Sequence, residues 1–211
     1  MRLVLGKPVR CADDAVRELA DVVIDAGSKS VTHIVVQPHH EPEEARLVPM
    51  ALTERHEDDR ELSLRCTAEE LDGLDRVHEF AFLRPGQQPE EDSKWDVGVE
   101  EVYPTANSGP SALGDYTGPL DASVGMSYDR VPKGEIELRH ASAVYSADEH
   151  HLGSVKGLVV DAEARITHLL LQRGHLWWRR EISVPGDKVS TFETDLVTLG
   201  VTKRELASLP S

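Results

Sequence analysis

The chain has 211 residues and a formal net charge of −15, and 39% of its residues are hydrophobic. This length suits two small domains with a connector better than one large core. An acidic surface repels phosphate backbones, so general nucleic-acid binding is disfavoured. Such a surface favours basic protein partners or cations, but most acidic surfaces are simply solvated. No apolar run approaches the roughly 20 residues of a membrane span, and the apolar stretch 1–5 is too short for a signal peptide. We therefore expect a cytoplasmic protein without a membrane span.

A first β-rich module is predicted for residues 1–79. Its short β-branched and apolar runs are separated by turn residues, a pattern typical of small barrels. The nearly continuous apolar run Val31–Gln37 suggests a strand that is buried on both faces. After a short strand near Val9, the predicted strands are Asp21–Asp25, Val31–Gln37, Leu47–Thr53 and Glu61–Arg65. Thr67 and Glu70 form a capping box, which predicts a short helix that closes the module.

The middle of the chain, residues 80–134, is predicted to be a long linker rich in proline, glycine and acidic residues. Such a composition is typical of a solvated tether. The segment also contains Trp95, Tyr103 and Tyr116, which a plain tether does not need. A structureless loop of this length is unusual inside a compact protein. We therefore predict a partly ordered linker that docks on a barrel or adds a strand to one.

The pattern of the first module returns in residues 135–211, the second predicted module. Both copies contain a strand that ends in Asp-Ala, a Thr-His strand, a Val-Pro step and a capping box before a final helix. The predicted strands of the second copy are Glu135–Leu138, Leu152–Val160, Ile166–Gln172, Glu181–Pro185 and Leu196–Leu199. The repeated structural positions are Asp25 and Asp161, His33 and His168, and Pro49 and Pro185. Such a repeat marks two copies of one structural unit.

The second copy resembles the PRC-barrel domain through three motifs: Leu152–Val155, Val159–Asp161 and Arg165–Leu171. The first copy departs from the family pattern at two places. Leu19-Ala20-Asp21 stands where a glycine is expected before the second strand, and His39-His40-Glu41-Pro42 replaces a Trp-rich hairpin. The predicted fold is therefore mainly all-β, with two small PRC-type β-barrels, each closed by a short C-terminal helix and joined by the acidic linker.

The PRC-barrel family includes the cytoplasmic domain of the photosynthetic reaction-centre H subunit, the C-terminal domain of a ribosome maturation factor and many stand-alone bacterial proteins. The resemblance implies barrels that act as adaptors and dimerisation modules, not as enzymes. A fold alone does not determine a function. We expect a non-catalytic bacterial adaptor that binds an unidentified protein partner, with a homodimer as a further possibility. An RNA- or ribosome-associated assembly factor and an accessory protein of a membrane redox complex remain open alternatives.

The best candidate for partner binding is a predicted hairpin that contains His175, Trp177, Trp178, Arg179 and Arg180. Tryptophan and arginine dominate the energetic hot spots of protein interfaces, and they also stack on nucleic-acid bases. Strand alternation predicts one tryptophan and one arginine on each face of the hairpin. The alternative is structural, because both tryptophans can cap the barrel core while both arginines pair with local carboxylates.

The remaining polar motifs predict structural roles. His33 and His168 are each expected to hydrogen-bond a backbone carbonyl, and Asp25 and Asp161 are expected to cap the backbone N–H groups of the following turns. The pair His150-His151 together with His175 does not predict a metal site, because neighbouring histidines on a strand point to opposite faces. No phosphate-binding loop or nucleophile elbow occurs. The sequence therefore predicts no enzyme activity, no metal and no cofactor.

Overall fold

The computed structural model describes residues 1–39, 41–54, 62–83, 95–104, 124–174 and 180–207. Strands dominate the described residues, so the prediction of a mainly all-β protein is confirmed. The strands form two seven-stranded sheets and one three-stranded sheet. Neither described helix is long and apolar enough to cross a membrane.

The first copy contains seven strands and one helix. In chain order they are β1 (Arg2–Val4), β2 (Lys7–Arg10), β3 (Val16–Asp25), β4 (Ser30–Gln37), β5 (Arg46–Pro49), β6 (Thr53–Glu54), β7 (Leu62–Leu64) and α1 (Ala68–Asp72). The middle segment contains three strands, β8 (His78–Leu83), β9 (Trp95–Pro104) and β10 (Val124–Pro132). The second copy contains β11 (Ile136–Leu138), β12 (Ala143–Tyr145), β13 (His151–Val160), β14 (Ile166–Arg173), β15 (Arg180–Pro185), β16 (Val189–Glu193), β17 (Leu196–Leu199) and α2 (Lys203–Leu206).

The two seven-stranded sheets have the same topology. The order is β5-β4-β3-β2-β7-β6 in the first copy and β15-β14-β13-β12-β17-β16 in the second. Each sheet has one parallel pair, β2 with β7 or β12 with β17, and its other pairs are antiparallel. The sequence repeat therefore corresponds to a repeat of the sheet.

The seventh strand of each sheet comes from the other copy. β1 pairs with β13, so that Leu3 lies opposite Leu158, and β11 pairs with β3, so that Leu138 lies opposite Val22. Leu3 and Leu138 are fully buried. The sequence places a module boundary at residue 135, but the sheets do not follow this boundary. β11, from the second module, completes the first sheet, and β1, from the first module, completes the second.

One hydrophobic core extends through both copies, with Leu3, Ile34, Leu138 and Leu169 in the same cluster of buried side chains. The reciprocal strands explain this continuity, because each of them carries a buried leucine into the other sheet. The two copies therefore share one hydrophobic core and are not independent units with separate cores.

Both predicted capping boxes are present, and both close a short helix. The Thr67 side chain accepts a hydrogen bond from the Glu70 N–H, and the Glu70 carboxylate accepts one from the Thr67 N–H. Thr202 and Glu205 repeat this arrangement at α2. These bonds satisfy N–H groups that the first helical turn leaves without partners.

The predicted strand Leu47–Thr53 is wrong in one respect, because it is interrupted after Pro49. A 3-10 turn over Met50–Leu52 separates β5 from β6. Proline lacks an N–H group and cannot continue the hydrogen-bonded ladder. The second copy has the same break after Pro185, where a 3-10 turn covers Gly186–Lys188.

The middle segment predicted as a linker contains an antiparallel sheet in the order β8-β10-β9. Val131, near the end of β10, is buried in a small cluster with Val23, Val35 and Leu47. These partners lie on β3, β4 and β5. The end of the middle segment therefore packs on a face of the first sheet.

Candidate functional site

The candidate hairpin extends from the paired ends of β14 and β15. The last described pair is Arg173 opposite Arg180, and both side chains are exposed. His175, Trp177, Trp178 and Arg179 lie outside the described residues. The described base of the hairpin thus presents two like charges side by side, a locally basic spot on an acidic protein.

A cleft of about 450 Å³ opens beside the base of this hairpin. Its wall includes His140, His151, Gln172 and Gly174. β13 approaches β14 closely here, since a Cβ atom on Gly153 would lie 2.2 Å from the Gln172 carbonyl oxygen. Gly153 also has a φ of +151°, which side chains rarely adopt. Only glycine therefore fits at this point of the wall.

The histidine pair at the start of β13 does not converge on one site. The Nδ1 atom of His150 lies 2.9 Å from the Asp148 carbonyl oxygen, whereas His151 packs edge-on against the ring of Tyr145 at 5.3 Å. Across the described ranges, no group of three or more His, Cys, Asp or Glu side chains is arranged to hold a metal ion.

His33 and His168 have equivalent partners, but these differ from the predicted ones. The Nδ1 atom of each ring lies 3.1 or 3.2 Å from the hydroxyl of the preceding threonine. In the second copy that hydroxyl, on Thr167, donates to the Val159 carbonyl at 3.0 Å. A hydroxyl has one hydrogen, so His168 must donate from Nδ1. The sequence predicts a direct bond from each histidine to a backbone carbonyl; the structure instead gives each Nδ1 atom a threonine hydroxyl as its partner, and in the second copy that hydroxyl bonds the carbonyl.

Glu135 makes the surroundings of His33 different from those of His168. Its carboxylate accepts a hydrogen bond from Thr32 and lies 3.7 Å from His33 Nδ1. Burial lowers the pKa of His33, and the nearby negative charge of Glu135 opposes this shift. His33 and His168 lie opposite Pro49 and Pro185 in matching register.

Asp25 and Asp161 cap the turns that follow β3 and β13, the role that the sequence predicts. Asp25 Oδ1 accepts from the N–H groups of Gly27 and Ser28, and Asp161 Oδ1 accepts from those of Glu163 and Arg165. The hydrogen bonds to Ser28 and Gly27 lower the pKa of Asp25 below its usual range. These two carboxylates stabilise backbone turns, which is a structural role.

The outer edge of the first sheet is covered by a later segment of the chain, which the sequence analysis missed. The Leu47 N–H on β5 donates to the Asp75 carbonyl at 2.9 Å, and the Val77 N–H donates to the Ala45 carbonyl at 3.1 Å. Residues 75–77 therefore cover the edge of the first sheet. Within the described residues, β15 pairs only with β14, and no other described backbone group bonds to the outer edge of β15. This cover depends on backbone hydrogen bonds between residues about 30 positions apart in the sequence, and no local motif predicts them.

Two thiols are the strongest potential nucleophiles in the described residues, and both are buried. Cys11 and Cys66 lie in the first copy and form no disulfide. Burial raises the pKa of both thiols above the ordinary value. A thiol that is inaccessible and protonated is a poor nucleophile, so these cysteines belong to the core.

No protein-family model matches the chain, and no curated protein is significantly similar to it. The PRC-barrel assignment therefore stays a prediction from the sequence motifs. What the protein does must be argued from the residues and edges described above.

Proposed function

We propose that this protein is a non-catalytic cytoplasmic adaptor built from two PRC-type barrels. It binds a protein partner at the outer edge of β15, together with the adjoining hairpin that contains His175 and Trp177–Arg180. The observation that carries the proposal is the contrast between two equivalent edge strands. β5 is covered by residues 75–77, whereas β15 has no described neighbour on its outer side.

The mode of binding is addition of a strand from the partner. The Leu47 N–H on β5 and the Ala45 carbonyl just before β5 point outward. The equivalent positions in the second copy are Ser183 and Glu181, both on β15. An extended peptide gains affinity from such backbone groups and specificity from neighbouring side-chain pockets. The reciprocal pairing of β1 and β11 supports this mode, since each sheet already accepts a strand from another module.

The test replaces Ser183 by proline and measures capture of partners from native lysate by the tagged protein, with mass spectrometry to identify them. Proline removes the outward N–H that the partner strand would use. We expect Ser183→Pro to lose the partner, whereas Ser183→Ala, which keeps the N–H, retains it. The double variant Trp178→Ala with Arg180→Ala should also lose the partner while its thermal unfolding stays nearly unchanged.

Capture that is unchanged in Ser183→Pro would contradict binding at this edge. Collapse of the fold in the double variant would show that the hairpin residues are structural. A second copy of this chain is one possible partner, and in that case Ser183→Pro would convert a dimer to a monomer in light scattering.

A second candidate function is association with RNA or ribosomes, favoured by the exposed pair of Arg173 and Arg180. Two adjacent arginines can bind phosphate even on an acidic protein. Nuclease treatment of the lysate separates the candidates, because RNA-dependent partners disappear while a direct protein partner remains. Salt-dependent RNA binding with a slope of several phosphates would favour this second function.

A further inference from the structure

Two turns meet where the copies join, and they define equivalent positions. The Val31 N–H donates to the Ala164 carbonyl, and the Ile166 N–H donates to the Lys29 carbonyl, both at 2.9 Å. This reciprocal pair relates Lys29 to Ala164. Both residues adopt a left-handed backbone conformation, with φ of 51° and 61°. The two turns thus share a backbone geometry but differ in one side chain.

In the first copy, the side chain at this position reaches the second copy. The Lys29 ammonium donates to the Val189 carbonyl at 2.6 Å. Val189 begins β16 directly after the 3-10 turn that follows Pro185. The lysine is half-buried. A charged hydrogen bond of this kind is stronger than a bond between neutral groups, so Lys29 joins the two copies.

At the related position, a cleft of about 610 Å³ is open. Ala164 lines it and has no side chain beyond Cβ. Thr53, which also begins a strand after the corresponding Val-Pro step and 3-10 turn, lines it from the other copy. Thr53 lies opposite Leu64, just as Val189 lies opposite Leu199. The cleft therefore occupies the place that Lys29 enters on the other side of the junction.

The lining of the cleft suits the stem and head of a lysine. Met50 contributes an apolar wall, and Asp161 and Glu163 contribute carboxylates. Arg65 also lines the cleft, and Arg165 lies 3.8 Å from Asp161, so the carboxylates are shared with cations of the protein. The distinguishing acceptor is the backbone carbonyl of Thr53, the counterpart of the Val189 carbonyl.

We propose that the cleft beside Ala164 binds a lysine side chain of a protein partner, whose ammonium donates to the Thr53 carbonyl. The Lys29 side chain at the related position identifies the occupant, and the net charge of −15 favours a basic partner. The inference rests on the proposed adaptor function and adds a second contact surface, at the junction of the two copies.

The test is a titration of the full isotope-labelled chain with two short peptides followed by NMR. One peptide contains a single lysine, and the other contains norleucine, which keeps the stem and lacks the ammonium. We expect the lysine peptide to shift the backbone amides of Thr53, Arg65 and Ala164. The norleucine peptide should bind at least about tenfold more weakly, since a hydrogen bond to a charged group contributes about 1.5 kcal/mol or more.

Three variants provide matched controls. Ala164→Lys supplies the side chain from inside and should abolish the shifts; Lys29 shows that lysine is compatible with this backbone conformation. Lys29→Ala opens the related cleft, and a second set of shifts should then appear around Val189. Ala164→Met fills the cleft without an ammonium, so it should block the peptide while leaving the rest of the spectrum unchanged.

Equal binding of the two peptides, or shifts that persist in Ala164→Lys, would overturn the inference. The adaptor function is tested separately. If Ser183→Pro loses the partner while Ala164→Lys retains full capture and peptide binding, the cleft is excluded as a contact and the adaptor function stands. If both variants lose the partner, both surfaces are supported.

Discussion

The two copies receive their exchanged strands in different ways. In the second copy, β1 passes so close to β13 that a Cβ atom on Gly157 would lie 2.0 Å from the Leu3 carbonyl oxygen. The first copy has Asp21 at the corresponding position, and its carboxylate accepts a hydrogen bond from the His140 N–H at 2.5 Å. The same exchange is thus accommodated by close backbone approach on one side and by a side-chain bond on the other. The first copy therefore accommodates an aspartate at the position where the second copy needs a glycine.

The surfaces of the copies differ more than their sheets do. The first copy has a covered edge, the Glu135 carboxylate beside His33, and Lys29 extending across the junction. The second copy has an edge without a described neighbour and Ala164 at the position related to Lys29. The strand order is therefore shared by the two copies, whereas these edge and turn features differ.

The largest expected effect comes from replacing Gly157 by valine. The new Cβ would collide with the backbone of β1, and a backbone atom cannot rotate away as a flexible side chain can. We expect a loss of about 4 kcal/mol in the free energy of unfolding, at the upper end for overpacking. Urea denaturation followed by circular dichroism measures this loss.

The matched change in the first copy is Asp21→Val, at a position that already has a Cβ. It removes the hydrogen bond to the His140 N–H and should cost about 1 kcal/mol. Equal losses of unfolding free energy in Gly157→Val and Asp21→Val would show that β1 and β11 pack equally closely on their partner strands, contrary to this comparison.

The next effect tests the features that the copies share. Leu3 and Leu138 occupy the centres of the exchanged strands and are fully buried in one core. Replacing either by alanine should cost about 3 kcal/mol, through lost burial and the cavity left behind. Because the core is continuous, we expect the whole chain to unfold in one cooperative transition, and each variant should lower the urea concentration at its midpoint.

Two separate transitions, with Leu3→Ala affecting one and Leu138→Ala the other, would show that the repeats unfold independently. Val16→Ala is a suitable control, since Val16 is exposed and its truncation should change stability by less than about 0.5 kcal/mol.

Much of the fold follows from local sequence patterns. The strands β4 and β14, both capping boxes and the two aspartate turns lie where the sequence predicts them. The strand exchange does not follow, because β1 and β11 carry short apolar patterns that fit either sheet. The pairing joins residues more than a hundred positions apart, such as Leu3 with Leu158, and no nearby residue specifies it.

The candidate site was harder to predict than the fold. Tryptophan and arginine drew attention to the hairpin, whose residues 175–179 lie outside the described residues. The edge of β15 without a described neighbour and the cleft beside Ala164 depend on residues far apart in the sequence, which no local motif signals. One signal was present in the sequence, since aligning the Thr-His strands places Lys29 against Ala164. The sequence does not show, however, that the Lys29 ammonium bonds the Val189 carbonyl, so the lysine-to-alanine difference alone predicts no site.

The smallest expected effect concerns the histidine that differs between the copies. Burial lowers the pKa of His33 below its ordinary value of about 6.5, while Glu135 favours the charged ring and limits the shift. The unfolded chain therefore binds this proton more readily than the folded one. The stability that the neutral ring contributes is present above about pH 6.5 and is lost as the pH falls through the folded pKa. An NMR titration of the His33 ring protons measures that pKa directly. Glu135→Gln removes the opposing charge and should lower it further, whereas a rise would show that Glu135 acts mainly by burying the ring.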